Sequence, residues 1–161
     1  MAIDSKYIKA CLSAYFRFKR QTSCIATEVG QFNADFLAVG RGGFLEIEIK
    51  VSKADLNNDF KKPKHKIYET QKHHAWCPQQ FYFAIPEELV DYAIAKCADK
   101  PYGILAIRKC NRTSNRSWMD RVRVVKRAKK LHNNPIQEKV KYIIYSRLAS
   151  EMTNLRIALC D

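Results

Sequence analysis

ADFLAVGRGGFLEIEIK, residues 34–50, reads as two strands joined by a glycine-rich turn. Apolar and polar residues alternate from Phe44 to Val51, the period of a strand with two unlike faces. The GRGG run at 40–43 supplies the backbone freedom that a tight hairpin turn requires. The polar face is unusual, because Glu46, Glu48 and Lys50 all lie on it. If the hairpin closes symmetrically across Gly40 and Gly43, Val39 stands opposite Phe44 and Asp35 stands opposite Glu48. Directly opposed Cβ atoms lie about 4.5–5.5 Å apart, where like charges destabilise the pair unless something positive sits between them. Lys50 brings one charge without neutralising the cluster, and a divalent cation would complete it. Oxygen ligands with no neighbouring His or Cys favour Mg²⁺ or Mn²⁺ over zinc. This pairing depends on register, since a slip of one residue moves Asp35 to the other face. Without that register, EIEIK is also an ordinary half-exposed strand face with a Glu/Lys neighbour pair.

Outward from the hairpin, helical and strand patterns alternate. Asp4 and Ser5 can cap a first helix with apolar residues at Ile8, Cys11, Leu12, Tyr15 and Phe18. A short strand is expected near 24–29, and a polar helical stretch from Lys53 to about His74. QFYFAI is an aromatic strand, Pro86 and Glu87 open a helix through Cys97, and YGILAI is a further strand. RVRVV is a strand candidate, and Pro135 precedes a last helix over about 136–157, with Val140, Ile143, Ile144, Leu148 and Met152 on one side. This order predicts an α/β fold, a mixed β-sheet flanked by helices. At 161 residues the chain is expected to be one domain, with a core over about 1–108 and the rest as an extension.

The net charge is +13, and its distribution is uneven. Residues 108–130 hold ten Lys/Arg against one Asp, and residues 51–74 hold six Lys against three acids. Between 28 and 48 the balance reverses, with Glu28, Asp35, Glu46 and Glu48 against Arg41. A carboxylate nest inside a basic protein points to a cation site facing a polyanion, since basic surface attracts phosphate. No apolar run is long enough to cross a bilayer, and the N-terminal stretch lacks a signal-peptide layout, so a cytoplasmic protein of a bacterial or phage-infected cell is expected. The six cysteines show no metal-binding spacing and read as reduced thiols.

Asp35, the glycine turn and Glu48-Ile49-Lys50 resemble the motif of the PD-(D/E)XK nuclease superfamily, an Asp on one strand followed by Glu-x-Lys on the next. The likeness runs through TEVGQFNADFLAV, EIEIKVSKADLNNDFKKPKHKIY and FYFAIPEEL, covers about residues 24–108, and looks like the branch that includes MmcB-like DNA-repair proteins. Ala34 stands where the motif has proline, and Glu46 is an additional acid. The resemblance implies a restriction-endonuclease-like fold and Mg²⁺-dependent cleavage of DNA, in phage DNA processing or repair. It implies that Asp35 and Glu48 hold the metal, with Glu28 and Glu46 as further candidate ligands, and that Lys50 serves the attacking water.

Phosphate contacts are expected from Lys53, Lys61, Lys62, Lys64, His65 and Lys66, and from Arg112, Arg116, Arg121, Arg123, Arg127 and Lys130 in the basic extension, with Trp118 as a base-stacking candidate. Tyr68 reads as a half-buried residue with a satisfied hydroxyl, and His73 and His74 as surface residues. Cutting both strands of a duplex would favour a homodimer. Two other readings fit the same charges: a nucleic-acid-binding protein without catalysis, and a basic assembly protein that meets RNA or an acidic partner.

Overall fold

A computed structural model describes residues 3–41, 43–70, 77–110 and 115–160, without the side chains of 115 and 116. His73, His74, Arg112 and the Arg116 side chain therefore lie outside the described residues.

Six strands form one sheet in the order β1-β2-β3-β4-β5-β6. They are β1 (Cys24–Val29), β2 (Ala34–Gly40), β3 (Gly43–Ile49), β4 (Gln80–Pro86), β5 (Gly103–Ile107) and β6 (Val122–Lys126). β3, β4 and β5 run parallel, and β1–β2, β2–β3 and β5–β6 pair antiparallel. The fold is the expected α/β class. The hairpin closes as the turn predicts, with Gly40 opposite Gly43, Val39 opposite Phe44 and Phe36 opposite Ile47. Gly43 has φ +104, and a Cβ there would meet Gln79 Oε1, the atom that accepts the Phe44 N–H at 2.8 Å.

One sheet face packs on α1 (Ser5–Ala14), capped by Asp4, whose side chain accepts the Tyr7 N–H. Ile8, Cys11 and Leu12 meet Phe36, Ile47, Ile49 and Leu105 there. The other face carries two apolar clusters. Under α6 (Glu138–Ala158), Val140 and Ile144 pack on Leu37, Val39 and Phe44. Under α2 (Lys53–Asp59), α3 (Pro63–Thr70) and α4 (Val90–Lys96), Leu56, Tyr68 and Leu89 pack with Phe81, Phe83 and Tyr102. A short α5 (Asn115–Met119) precedes β6.

The polar helical stretch expected from Lys53 to about His74 forms two helices within its described part. Pro63 lacks an N–H and disfavours a helical residue before it, so it starts a new helix rather than continuing one. Lys61, Lys62 and Lys64 thereby fall at a helix junction beside the C-terminal ends of the parallel strands, where open α/β sheets place their ligand sites. All six cysteines are free thiols, four of them buried. No helix among the described residues is long and apolar enough to cross a membrane.

Candidate functional site

β2 and β3 present Leu37 and Val39 on the same face as Phe44 and Glu46, because Leu37 pairs with Glu46 and Val39 with Phe44. Period two continues that face to Asp35 and Glu48. Asp35 Oδ2 accepts the Ile49 N–H at 2.8 Å and lies 3.8 Å from Lys50 Nζ. Lys50 Nζ bonds Glu48 Oε2 at 2.9 Å. The Lys50 backbone continues the parallel ladder, its N–H donating to the Ala84 carbonyl at 3.0 Å.

This face is not half-exposed. Glu46 and Glu48 are 0% exposed, covered by the α2–α3 segment, while the Asp35 side chain keeps 32% exposure. Buried carboxylates need compensation, and lysines supply it. Lys64 Nζ lies 2.6 Å from both Glu46 Oε1 and Glu48 Oε1, and also donates to the Asn33 carbonyl. Asn33 sits in the left-handed region at φ 48, a conformation that Asn tolerates. Lys62 Nζ bonds Glu48 Oε2 at 2.9 Å. Tyr68, one turn beyond Lys64 on the same face of α3, donates its hydroxyl to Glu46 Oε2 at 2.7 Å.

Asp59 is a member of the site that the motif did not single out. Its Oδ1 lies 2.8 Å from Lys50 Nζ and 2.6 Å from Lys62 Nζ, as ion pairs without hydrogen-bond geometry. Its Oδ2 lies 2.7 Å from His65 Nε2, and His65 Nδ1 lies 2.9 Å from the Tyr102 hydroxyl. The only sequence cue was its helical position close after the Glu-x-Lys strand.

Four carboxylates, Asp35, Glu46, Glu48 and Asp59, thus face three ammoniums, Lys50, Lys62 and Lys64. Burial, followed by the charge of Glu48, raises the Asp35 carboxyl above its ordinary value. Burial pushes Glu46 up to about 7 against the pull of Lys64. For Lys50, burial acts downward but Glu48 and Asp59 outweigh it, and the ammonium is held above its ordinary value. For Asp59, burial acts upward but His65, Lys50 and Lys62 outweigh it, and the carboxyl falls below the usual range.

Several other expected site residues lie elsewhere. Glu28 pairs with Lys9 of α1 and bonds none of the site lysines; it also breaks the β1 ladder with φ 50. His65 does not face a nucleic-acid backbone. It is 2% exposed, with both ring nitrogens bonded and its ring among Phe60, Phe81, Phe83 and Tyr102. Arg121 is likewise not a surface cation. It is 3% exposed, its guanidinium 3.8 Å from the centre of the Trp118 ring and bonded to the Tyr7 hydroxyl and Ser117 Oγ. Trp118 is thereby stacked within the protein rather than presented to a base. Lys62 and Lys64, expected on phosphate, are on carboxylates. Lys53, Lys61, Lys66, Arg123, Arg127 and Lys130 are exposed, with Arg123 paired to Glu87.

Asp35 and Glu48 offer the hard oxygen donors that Mg²⁺ or Mn²⁺ takes, and Asp35 Oδ1 has no hydrogen-bond partner among the described residues. Among those residues no group of three His, Cys, Asp or Glu side chains is arranged to hold a metal ion. The donor atoms are of the kind a hard dication takes, but ammoniums occupy both oxygens of Glu48.

No family model matches the chain, and no curated protein matches it. Among solved structures it is similar to a protein of unknown function from Silicibacter pomeroyi, with 14% identity over 100% of this chain and 94% of that chain and a TM-score of 0.62. At that identity the likeness concerns the fold alone.

Proposed function

We propose that the chain is a divalent-metal-dependent DNA nuclease of the PD-(D/E)XK type, hydrolysing phosphodiester bonds. The observation that supports this most is the meeting of Asp35, Glu48 and Lys50 at one end of the hairpin, with the ammonium 2.9 Å from Glu48 and 3.8 Å from Asp35. Asp35 and Glu48 are the residues that would hold Mg²⁺ or Mn²⁺, with Glu46 behind them. When bound, such an ion polarises the phosphate and makes a coordinated water acidic enough to attack.

The chain's own groups do the rest. Lys50, fixed between Glu48 and Asp59, stays an ammonium. It orients the attacking water and offsets the charge that develops on the phosphate oxygens. Asp59 aims Lys50, and His65 and Tyr102 hold Asp59 from behind. Lys53 and Lys61 are exposed cations suited to the flanking backbone, whereas Arg127 and Lys130 lie by the N-terminal ends of β4 and β5, at the far end of the sheet from Lys50. Cutting both strands would favour a second copy of the chain, and the exposed Tyr145, Met152, Leu155 and Leu159 of the C-terminal segment are apolar surface available for it.

One observation favours a second reading, a nucleic-acid-binding protein without catalysis: the buried carboxylates are already compensated by lysines. A plasmid nicking assay with Mg²⁺, with EDTA, and with Asp35→Asn separates the two. Metal-dependent nicking that Asp35→Asn abolishes supports the nuclease. DNA binding without nicking at any Mg²⁺ or Mn²⁺ concentration would leave the binding protein.

A further inference from the structure

Two of the three site lysines differ from the third in how they are held. Lys50 sits at the end of a central strand with its side chain 6% exposed, among three carboxylates. Lys62 and Lys64 reach in from the α2–α3 junction on long stems, with side-chain exposures of 29% and 12%. Between them they occupy both oxygens of Glu48: Lys64 on Oε1 and Lys62 on Oε2. Exposed Lys61 adjoins Lys62 at the junction, so a polyanion drawn to that segment finds a surface cation beside the two site lysines.

The charge balance of the site limits what can enter. Four carboxylates against three ammoniums are already close to balance, and a dication added to that set would be strongly repelled by the ammoniums beside Glu48. Two ammoniums leaving and one dication arriving keep the charge of the site unchanged. The groups left behind retain partners, Asp59 in Lys50 and His65, and Glu46 in Tyr68. The departing ammoniums need anions outside the site, and backbone phosphates are such anions.

We propose that Lys62 and Lys64 are exchangeable counter-ions of Glu48, which a DNA backbone draws out of the site so that a divalent cation can enter, making metal and DNA binding mutually reinforcing. This rests on the nuclease reading and adds the order in which the site assembles. By linkage, the factor by which DNA tightens the metal is also the factor by which the metal tightens DNA.

The test is a calorimetric titration of Mg²⁺ into wild-type protein alone and into protein saturated with a short phosphorothioate-backbone duplex, with the duplex-only titration subtracted. The expected result is a Mg²⁺ Kd lowered about tenfold or more by the duplex, the usual scale of such coupling. Lys62→Gln and Lys64→Gln should each bind Mg²⁺ more tightly than wild type without DNA, and the duplex should tighten it less than in wild type, because one exchangeable lysine remains in each. Equal Mg²⁺ affinity in free and DNA-bound wild type overturns the proposal while leaving metal-dependent cleavage intact. A duplex effect that persists undiminished in both variants also overturns it, because the coupling would then arise elsewhere. Absence of Mg²⁺ binding under every condition removes the metal-dependent reading and this inference with it. Should Lys64→Gln fail to fold, Lys62→Gln, at the more exposed position, and the wild-type pair of titrations decide the question.

Discussion

Asp35 Oδ2 accepts the backbone N–H of Ile49 at 2.8 Å, so the carboxylate that faces Glu48 is tied to the main chain of the strand opposite it. Two effects therefore meet at Asp35: repulsion from Glu48, and an acceptor that a buried N–H requires. Two substitutions separate them. Asp35→Asn keeps an oxygen for Ile49 and removes the repulsion, so its melting temperature in EDTA should equal or exceed that of wild type. Asp35→Ala leaves the N–H without a partner and should lose about 1–3 kcal/mol. Neither should cleave. Wild type should gain about 2.7 kcal/mol when Mg²⁺ is at a hundred times its Kd, and Asp35→Asn should gain little. Thermal melts in EDTA and Mg²⁺, beside a nicking assay, check each expectation.

Lys50→Met should lower single-turnover cleavage at least about a hundredfold, the scale of one transition-state interaction. It should also destabilise the fold, because Glu48 and Asp59 lose a buried counter-ion; removing one partner of a buried pair costs about 3–5 kcal/mol, here lessened by Lys62, which touches both acids. Denaturant unfolding measures the second effect, and retained DNA binding shows that the first is not unfolding. Near-normal turnover would remove Lys50 from the mechanism.

Glu46 gives a pH dependence with a definite sign. Its carboxyl is raised from 4.5 to about 7 in the folded chain. Between those values the folded state binds more protons than the unfolded one, so the Glu46 contribution to stability is complete below about 4.5 and is lost as pH rises through about 7. The loss is a few kcal/mol at most, at about 1.4 kcal/mol per pH unit. Glu46→Gln should flatten that part of the stability profile and be the more stable protein above pH 7. Urea unfolding at intervals from pH 4 to pH 8 checks it, and parallel profiles for the two proteins would refute it.

The exposed lysines expected on DNA and the cations that turn inward should behave oppositely. Neutralising Lys53, Lys61 and Lys66 should reduce the slope of log K against log salt by about 0.9 for each duplex phosphate that these side chains no longer neutralise. His65→Ala removes a buried ring bonded at both nitrogens, and Arg121→Ala removes the group stacked on Trp118. Both should lose about 2–4 kcal/mol of stability, the range for truncating packed, bonded side chains. Their salt slopes should not change. Fluorescence anisotropy across a salt series reads the slopes.

The hairpin and what it juxtaposes were legible in the sequence. A strand's period of two and a turn at Gly40–Gly43 are local properties, and together they place Leu37 opposite Glu46 and bring Asp35, Glu48 and Lys50 to one face. The alternation of helical and strand patterns was local too, and it specified an α/β chain. That this polar face is covered was not legible, since burial depends on what packs above it. Once Pro63 starts α3, Tyr68 and His65 dock on Phe81, Phe83 and Tyr102, and that docking carries Lys62 and Lys64 onto Glu48 and Asp59 onto Lys50. The same holds for the cations that turned inward. His65 is fixed by Tyr102, 37 residues away, and Arg121 by Tyr7, 114 residues away. A basic residue reads the same in sequence whether it meets solvent or a buried partner, because what separates the two is the desolvation it undergoes and the partner that offsets it, and both are set by the packing of distant segments.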